Sequence, residues 1–230
     1  MNWYLQTGKN SDVVLNTRIT YSRNLRNYRF APTSLKEIEE IENEIKAKIY
    51  QIGYNLKFLK LKDMDEITKK SLQEKELITE NIRKDKFISH SILINEEENI
   101  CILINAENHL EIQVFNPGLE IENTFNLAKE VDEKINKNFD IAKSKKYGYL
   151  TTMPTNVGTG MKVNIELHLI GLNKTGNLRK ILQVVNNFGI DLNQTNMQDI
   201  YETLSDRLKE IHDLMKKMKI HPNEENRNKL

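Results

Sequence analysis

The chain has 230 residues, enough for one full domain with its own core, and its 34 basic and 33 acidic side chains leave a formal charge of +1, which excludes the basic excess of a nucleic-acid-binding surface. Its single cysteine, Cys101, excludes an internal disulfide and a cysteine metal site. No apolar run approaches the ~18 residues of a membrane span and no signal-peptide core opens the chain, so a cytoplasmic protein with neither a membrane nor a direct nucleic-acid partner is expected.

Residues 1–32 begin with Trp3 and a turn through Gly8-Lys9-Asn10-Ser11, followed by a short apolar strand from Val13 to Leu15. The arginines in Asn16-Thr17-Arg18-Ile19-Thr20-Tyr21-Ser22-Arg23-Asn24-Leu25 read either as an anion site or as solvated surface. Residues 33–60 hold the first helix. Ser34 with Glu37 makes a capping box, Leu35, Ile38, Ile41, Ile45 and Ile49 form one apolar stripe, and Gly53 ends the helix. Residues 61–90 carry charge and a weaker period at Met64, Ile67, Leu72 and Leu77, which predicts a helix and a connecting loop, with His90 at the surface.

Residues 91–116 read as a β-meander: Ile92 and Ile94 alternate, then Ile100, Ile102 and Ile104, then Leu110, Ile112 and Val114, with turns at Glu96–Asn99 and Ala106–Asn108. That pattern predicts an antiparallel sheet with one face on the core. Taken alone, Glu107 is a solvated hairpin-turn glutamate. Pro117-Gly118-Leu119 leads into a helix whose stripe is Phe125, Ala128, Val131, Ile135 and Phe139, and Lys143, Lys145 and Lys146 mark a solvated loop. The stretch from Tyr149 to Lys162 reads as a short strand, a polar glycine loop and a second strand. Gly158 and Gly160 allow φ > 0 or close approach of the backbone to a ligand, and Pro154 stiffens the loop entry. Thr151, Thr152, Thr155, Asn156 and Thr159 offer hydroxyls and an amide without net charge, as either a ligand loop or a long hairpin turn. From Lys162 to Leu169, Val163, Ile165, Leu167 and Leu169 face one way and Lys162, Asn164, Glu166 and His168 the other. A helix follows from near Gly176 through Leu178, Ile181, Leu182 and Val185 to Gly189, and a last amphipathic helix spans about 197–218 ahead of a polar tail, 219–230.

The run Gly148-Tyr149-Leu150-Thr151-Thr152-Met153-Pro154-Thr155-Asn156-Val157-Gly158-Thr159-Gly160 resembles the signature loop of the ATP:guanido phosphotransferases, the phosphagen kinases and their bacterial relative, the protein arginine kinase. That family usually has Cys at the position of Met153 and Arg at that of Lys162. Residues 12–25 look like its opening motif, in which a strand delivers two arginines to the nucleotide phosphates: Arg18 keeps the first, Thr20 replaces the second, and Arg23 matches a structural arginine. Creatine and arginine kinases carry an all-helical domain ahead of this motif; its place near residue 1 here resembles the bacterial branch. Leu77 to Ile82 looks like a segment ending in a nucleotide-contacting histidine, where Asn81 stands. Asn105-Ala106-Glu107-Asn108-His109-Leu110-Glu111 resembles a turn that usually reads two glutamates, then Asp-His-Leu-Arg. Glu107 matches the glutamate that grips the guanidinium, Ala106 and Asn108 have lost carboxylates, and Glu111 replaces a phosphate-binding arginine. Asn193-Gln194-Thr195 looks like the point where the family resumes after a mobile loop with another such arginine and a second catalytic glutamate, implying an internal deletion after Leu192.

The resemblance implies an α+β fold, an antiparallel β-sheet flanked by α-helices of the glutamine synthetase/guanido kinase type, as one domain over 1–218 whose 191–218 segment is shortened. It implies ATP and Mg²⁺ as cofactors, with Asn16, Thr17, Arg18, Ile19, Thr20, Lys162, Val163, Asn164, Ile165 and Glu166 at nucleotide positions. Thr155, Asn156 and Gly158 would lie near the substrate, Glu107 would be catalytic, and no side-chain metal site is implied. Guanidinium forks pair with phosphate oxygens, and transfer depends on positioning them. With Thr20, Asn81, Glu111 and Met153 departing from the pattern, the family's transfer of the ATP γ-phosphoryl group to a guanidinium is expected to be lost or strongly reduced, as in a pseudokinase. The alternative is an active protein arginine kinase with an altered ATP site. Implied partners are an active arginine kinase, the stress-gene repressor or the Clp protease, with a homo- or hetero-oligomer left open; whether the deletion bares a sheet edge that another chain covers is not legible in the sequence.

Overall fold

The computed structural model describes residues 1–32, 34–86, 88–169, 175, 176, 181, 184 and 185. The elements are β1 (Val14–Arg23), α1 (Leu35–Lys48), β2 (Lys57–Lys60), α2 (Glu66–Glu74), α3 (Glu80–Lys84), β3 (Ser91–Ile94), β4 (Ile100–Ile104), β5 (Leu110–Pro117), α4 (Ile121–Asn138), β6 (Lys143–Ser144), β7 (Gly148–Tyr149) and β8 (Met161–Leu167). Six strands form one sheet in the order β2-β3-β4-β5-β1-β8, and β6 pairs with β7. The meander is antiparallel, with Leu59 opposite Ile92, Ile92 opposite Leu103 and Ile102 opposite Ile112. The expected α+β class, an antiparallel sheet with helices, holds. Two compact units are present: one of Met1–Gln6, Arg18–Asn116 and Asn123–Asn164, the other of Thr7–Thr17, Pro117–Glu122 and the described residues from Ile165 onward.

In the first unit, α1 starts where its caps say. The Ser34 hydroxyl accepts from Glu37 N–H at 3.2 Å, while the Glu37 carboxylate accepts from Arg29 N–H at 3.1 Å, so the second arm of the box ties the helix to the incoming chain. Ile38, Ile41, Ile45 and Ile49 are buried, Leu35 is exposed, and the chain leaves the helix through Gly53 at φ 77. Beyond Gly53, residues 57–60, for which the sequence announced no element, form β2. Four residues are too few to show an alternating pattern, and pairing with β3 makes the strand. Residues 61–90 hold two short helices capped by Asp65 and Thr79.

The meander departs from the expected single buried face: every residue of β3 and β4 is buried. On one face Leu93, Ile100, Ile102, Ile104, Leu110, Ile112 and Val114 pack with Ile41, Ile45 and Ile49 of the α1 segment and with Ala128, Val131 and Ile135 of α4. On the other, Ile92, Ile94, Cys101, Leu103 and Phe115 pack with Trp3, Leu61, Leu72, Leu77 and Ile78. The alternate isoleucines hide the residues between them, which are also apolar, and a continuous apolar run marks a strand covered on both sides. His90 is not at the surface. It is buried under the β4–β5 turn, with Nδ1 2.6 Å from Asn105 O and Nε2 3.1 Å from Asp85 Oδ2, so both ring nitrogens are satisfied.

In the second unit the 7–17 segment packs closely on the Pro117–Glu122 turn. Leu119 N–H donates to Lys9 O at 2.7 Å, and a Cβ at Gly8 would lie 1.9 Å from Pro117 O, so only glycine fits. The expected helix from Gly176 to Gly189 (isolated residues apart), the deletion after Leu192, the helix over 197–218 and the tail fall outside the described residues. Among the described residues, no helix is long and apolar enough to cross a membrane.

Candidate functional site

Strand alternation builds the site in the first unit. On β1, Ile19 and Tyr21 point into the core, which leaves Arg18, Thr20 and Ser22 on the opposite face. On β5, Ile112 and Val114 are in that same core, so Glu111, Gln113 and Phe115 share the face with them; Ser22–Glu111 and Arg18–Phe115 contacts confirm it. On β8, Met161 and Val163 pack on the core while Lys162 and Asn164 are exposed. Ile19 and Val163 therefore support the strands, and their side chains are turned away from this face.

The cations on this face meet acids. Arg18 Nη1 lies 3.3 Å from the Glu76 carbonyl and 3.6 Å from its carboxylate, with the guanidinium 5.7 Å from the Phe115 ring centroid. Lys162 Nζ lies 4.0 Å from Glu107 Oε2, both side chains about half exposed, which makes this a weak pair. Thr20 adds no charge. Glu111 is folded into the protein rather than held out toward solvent: Ser22 Oγ donates to one carboxylate oxygen at 2.9 Å and Asn108 Nδ2 to the other at 2.7 Å. Burial raises its pKa above the usual carboxyl value, against the lowering effect of those two bonds and of nearby Lys162.

Asn108 is the junction. Its Oδ1 accepts Thr152 N–H at 2.8 Å and Asn24 Nδ2 at 3.1 Å, while Asn24 Oδ1 accepts His109 N–H at 2.9 Å. The hairpin turn, the end of β1 and the glycine loop are thereby fastened together. The loop itself turns through Pro154–Asn156, then pairs Tyr149 with Gly158 in both directions at 2.8 and 3.1 Å. Gly160, at φ 59, passes its carbonyl to Ser22 N–H at 2.7 Å, and a Cβ there would lie 2.6 Å from Arg23 Nη1. Thr155 and Met153 are exposed; Asn156 Nδ2 is buried without a partner among the described residues. Arg23 is the structural arginine of the expectation, bound bidentately to Asp132 at 2.7 and 2.8 Å.

The structure does not gather every residue singled out in the sequence. Asn81 is exposed on α3. Asn16, Thr17, Ile165 and Glu166 belong to the second unit. There, Thr17 Oγ1 donates to Gly118 O at 2.7 Å and accepts Glu120 N–H, and Asn16 Nδ2 donates to the Glu166 carboxylate. Glu76, Ser22, Asn24 and Asp132 were not singled out, and the part played by Asn108 was not foreseen. The contacts Arg18–Glu76, Ser22–Glu111, Asn24–Asn108 and Arg23–Asp132 span 58 to 109 residues of sequence, and no local spacing announces such pairs. Among the described residues, no three His, Cys, Asp or Glu side chains converge to hold a metal ion. Among the described residues of β1, β5 and β8, only Arg18 and Lys162 place on this face a positive charge suited to a triphosphate.

Glu111 gives a pH prediction. Its folded pKa is raised, so its contribution to stability is full below the unfolded carboxyl value and is lost as pH rises through the folded one. Glu111→Gln keeps a carbonyl for Asn108 and an amide for Ser22 without the charge. The variant should melt about 2–4 °C higher at pH 7, for a gain of about 1 kcal/mol, and the gain should vanish toward pH 4. Thermal melts at the two pH values check this.

Residues 37–226 match the family described as ATP:guanido phosphotransferase, C-terminal catalytic domain. The chain is 35% identical over 191 residues to a protein-arginine kinase of Halothermothrix orenii, covering 82% of this chain and 54% of that one, and 34% identical over 195 residues to one of Bacillus velezensis, covering 82% and 53%. It spans about half the length of the curated relatives it matches. Among solved structures, the duplicated taurocyamine kinase of Schistosoma mansoni superposes with a TM-score of 0.74 at 19% identity, over 92% of this chain and 33% of that one. Lombricine kinase superposes with a TM-score of 0.67 at 18% identity, over 84% and 57%. The fold is that of the guanidino kinases, and by the match over 37–226 the chain belongs to the ATP:guanido phosphotransferase family.

Proposed function

We propose that this chain is a guanido-kinase catalytic domain in which transfer of the ATP γ-phosphoryl group to arginine is lost or strongly reduced, and that it acts in the cytoplasm by binding. The observation that carries this reading is the charge on the sheet face. Of Arg18, Thr20, Glu111 and Lys162, the four described positions that the resemblance gives to phosphate-binding arginines, one holds a guanidinium, and that one already faces the Glu76 carboxylate. Phosphoryl transfer rests on positioning and on stabilising spreading negative charge. Removing one such donor costs about 10²–10³ in rate, and several losses together bring the reaction toward background even when they are not additive. ATP with Mg²⁺ is the ligand this reading tests first. Glu107 would hold a guanidinium, with Arg18 and Lys162 toward phosphate.

Incubating the chain with labelled ATP, Mg²⁺ and an arginine-rich protein should leave acid-labile phosphoarginine at the background of a no-protein control. Turnover at a kinase rate of about 1 s⁻¹ overturns the proposal. One observation favours the alternative, an active protein arginine kinase: Glu107 is half exposed beside Lys162, within reach of a substrate. That reading requires ATP affinity that Arg18→Ala abolishes. As a binding module, the chain would engage an active arginine kinase or its stress-repressor and Clp protease regulators. Co-purification with each, with and without ATP, tests these partners.

A further inference from the structure

The turn between α2 and α3 lies against the sheet through three consecutive residues. Lys75 Nζ sits 2.8 and 3.0 Å from the two Glu98 carboxylate oxygens. Glu76 meets Arg18 through both its carbonyl and its carboxylate. The Leu77 carbonyl accepts Gln113 Nε2 at 3.3 Å. Glu76 adopts φ 58, a left-handed conformation that favours glycine or asparagine, and no glycine replaces it. The anchors on either side hold it there, and they bring its carboxylate to the Arg18 guanidinium.

Arg18 uses only Nη1 in this contact; its Nε and Nη2 bond to no acceptor among the described residues. The pair is only partly buried, with side-chain exposures of 23% for Arg18 and 33% for Glu76. A long ion pair that water still reaches is a weak one. A guanidinium with free donors, a phenyl ring beneath it and a loosely held carboxylate in front is a polyanion site with its own counter-anion already in place.

We infer that Glu76 is an affinity-determining residue of this face: its carboxylate competes with an incoming polyphosphate for Arg18, and the ligand must displace it. The inference rests on the reading above that this face takes phosphate, and it adds what sets the threshold. Removing the charge at Glu76 strengthens binding, whereas an ion pair that merely holds the fold would weaken it or leave it unchanged. Phe115 stacks with Trp3 at a centroid distance of 5.1 Å beneath the same guanidinium. Trp3 is the chain's only tryptophan, so its fluorescence reports the same event.

Calorimetry at low salt with Mg·ATP and with inorganic tripolyphosphate, on the whole chain, E76Q, R18A and R18A/E76Q, decides it. E76Q should bind both ligands about 2- to 5-fold more tightly, the range a weak ion pair commands, and shift Trp3 emission on binding. In the R18A background the E76Q gain should disappear. An unchanged or weaker affinity in E76Q, an equal gain without Arg18, or no binding by either the chain or E76Q overturns the inference. Equal melting temperatures of the chain and E76Q exclude misfolding as the cause. Phosphoryl transfer by the unsubstituted chain would overturn the proposed loss of catalysis and leave the role of Glu76 standing; tighter binding by E76Q with no transfer by the chain supports both.

Discussion

Replacing Arg23 by alanine should destabilise the chain by about 3–5 kcal/mol, a cost typical of breaking a buried charge pair. Arg23 is among the most buried side chains, at 1% exposure, and each of its three nitrogens donates a hydrogen bond. Its Nε and Nη2 grip the two oxygens of Asp132, its Nη1 donates to the carbonyls of Ser22 at 2.8 Å and Thr159 at 2.9 Å, and its guanidinium lies 3.6 Å from the Tyr149 ring centroid. Alanine leaves Asp132 buried without its partner and frees the carbonyl that holds the end of the glycine loop. Urea denaturation should show the midpoint falling with the slope unchanged. Asp132→Ala should cost a similar amount, and the double variant should recover part of the loss because neither charge is then left alone. Arg26 is the internal control. It pairs with Asp140 at 3.0 Å with both side chains at least half exposed, and Arg26→Ala should cost under about 1 kcal/mol. Equal losses at Arg23 and Arg26 would refute the argument.

The second large effect is expected at Asn108. Asn108→Asp replaces the amide that donates to Glu111 with an oxygen, which sets two carboxylates against one another at the 2.7 Å contact. The expected loss at pH 8 is about 3 kcal/mol, combining a lost charge-assisted hydrogen bond with a like-charge contact in a buried place. Its sign with pH follows from linkage. The Glu111 carboxyl is already raised by burial, and a second carboxylate raises it further. The folded variant therefore holds a proton that the unfolded chain releases. Its stability is full below the unfolded carboxyl pKa and falls as pH rises through the folded one. Urea midpoints at pH 5 and pH 8 should differ much more for Asn108→Asp than for Asn108→Ala, which loses the bond without adding charge. The aspartate should also loosen the 148–160 loop less than alanine does, because an oxygen remains for Thr152 N–H. Identical pH behaviour in the two variants would show that the Asn108–Glu111 contact does not control this region.

Asn108 and Glu111 lie in a stretch whose family resemblance was visible in the sequence, yet neither role was. Asn108 read as a lost carboxylate and Glu111 as a misplaced acid. In the fold each explains the other, because the acid is held by the amide and by Ser22. The amide lies three residues from the acid in the turn that enters β5, but Ser22 comes from β1, 89 residues away, and only the sheet order sets it beside Glu111.

By itself the sequence determined the elements whose signals are local. The Ser34 cap, the isoleucine period of α1, the stripe of α4 and the apolar runs of the meander follow from side-chain spacing, because helix and strand geometry repeats every few residues. The glycine loop was legible for the same reason, since a positive φ at Gly158 and, at Gly160, a positive φ with close packing favour glycine. Tertiary structure alone decided that both faces of β3 and β4 are buried, that four residues at 57–60 pair as a strand, and that His90 lies inside under a turn. It also decided that the charge of Arg18 meets Glu76 and that of Lys162 meets Glu107. Periodicity reports which side of an element is apolar; the partner across the gap is chosen only when distant strands close into one sheet.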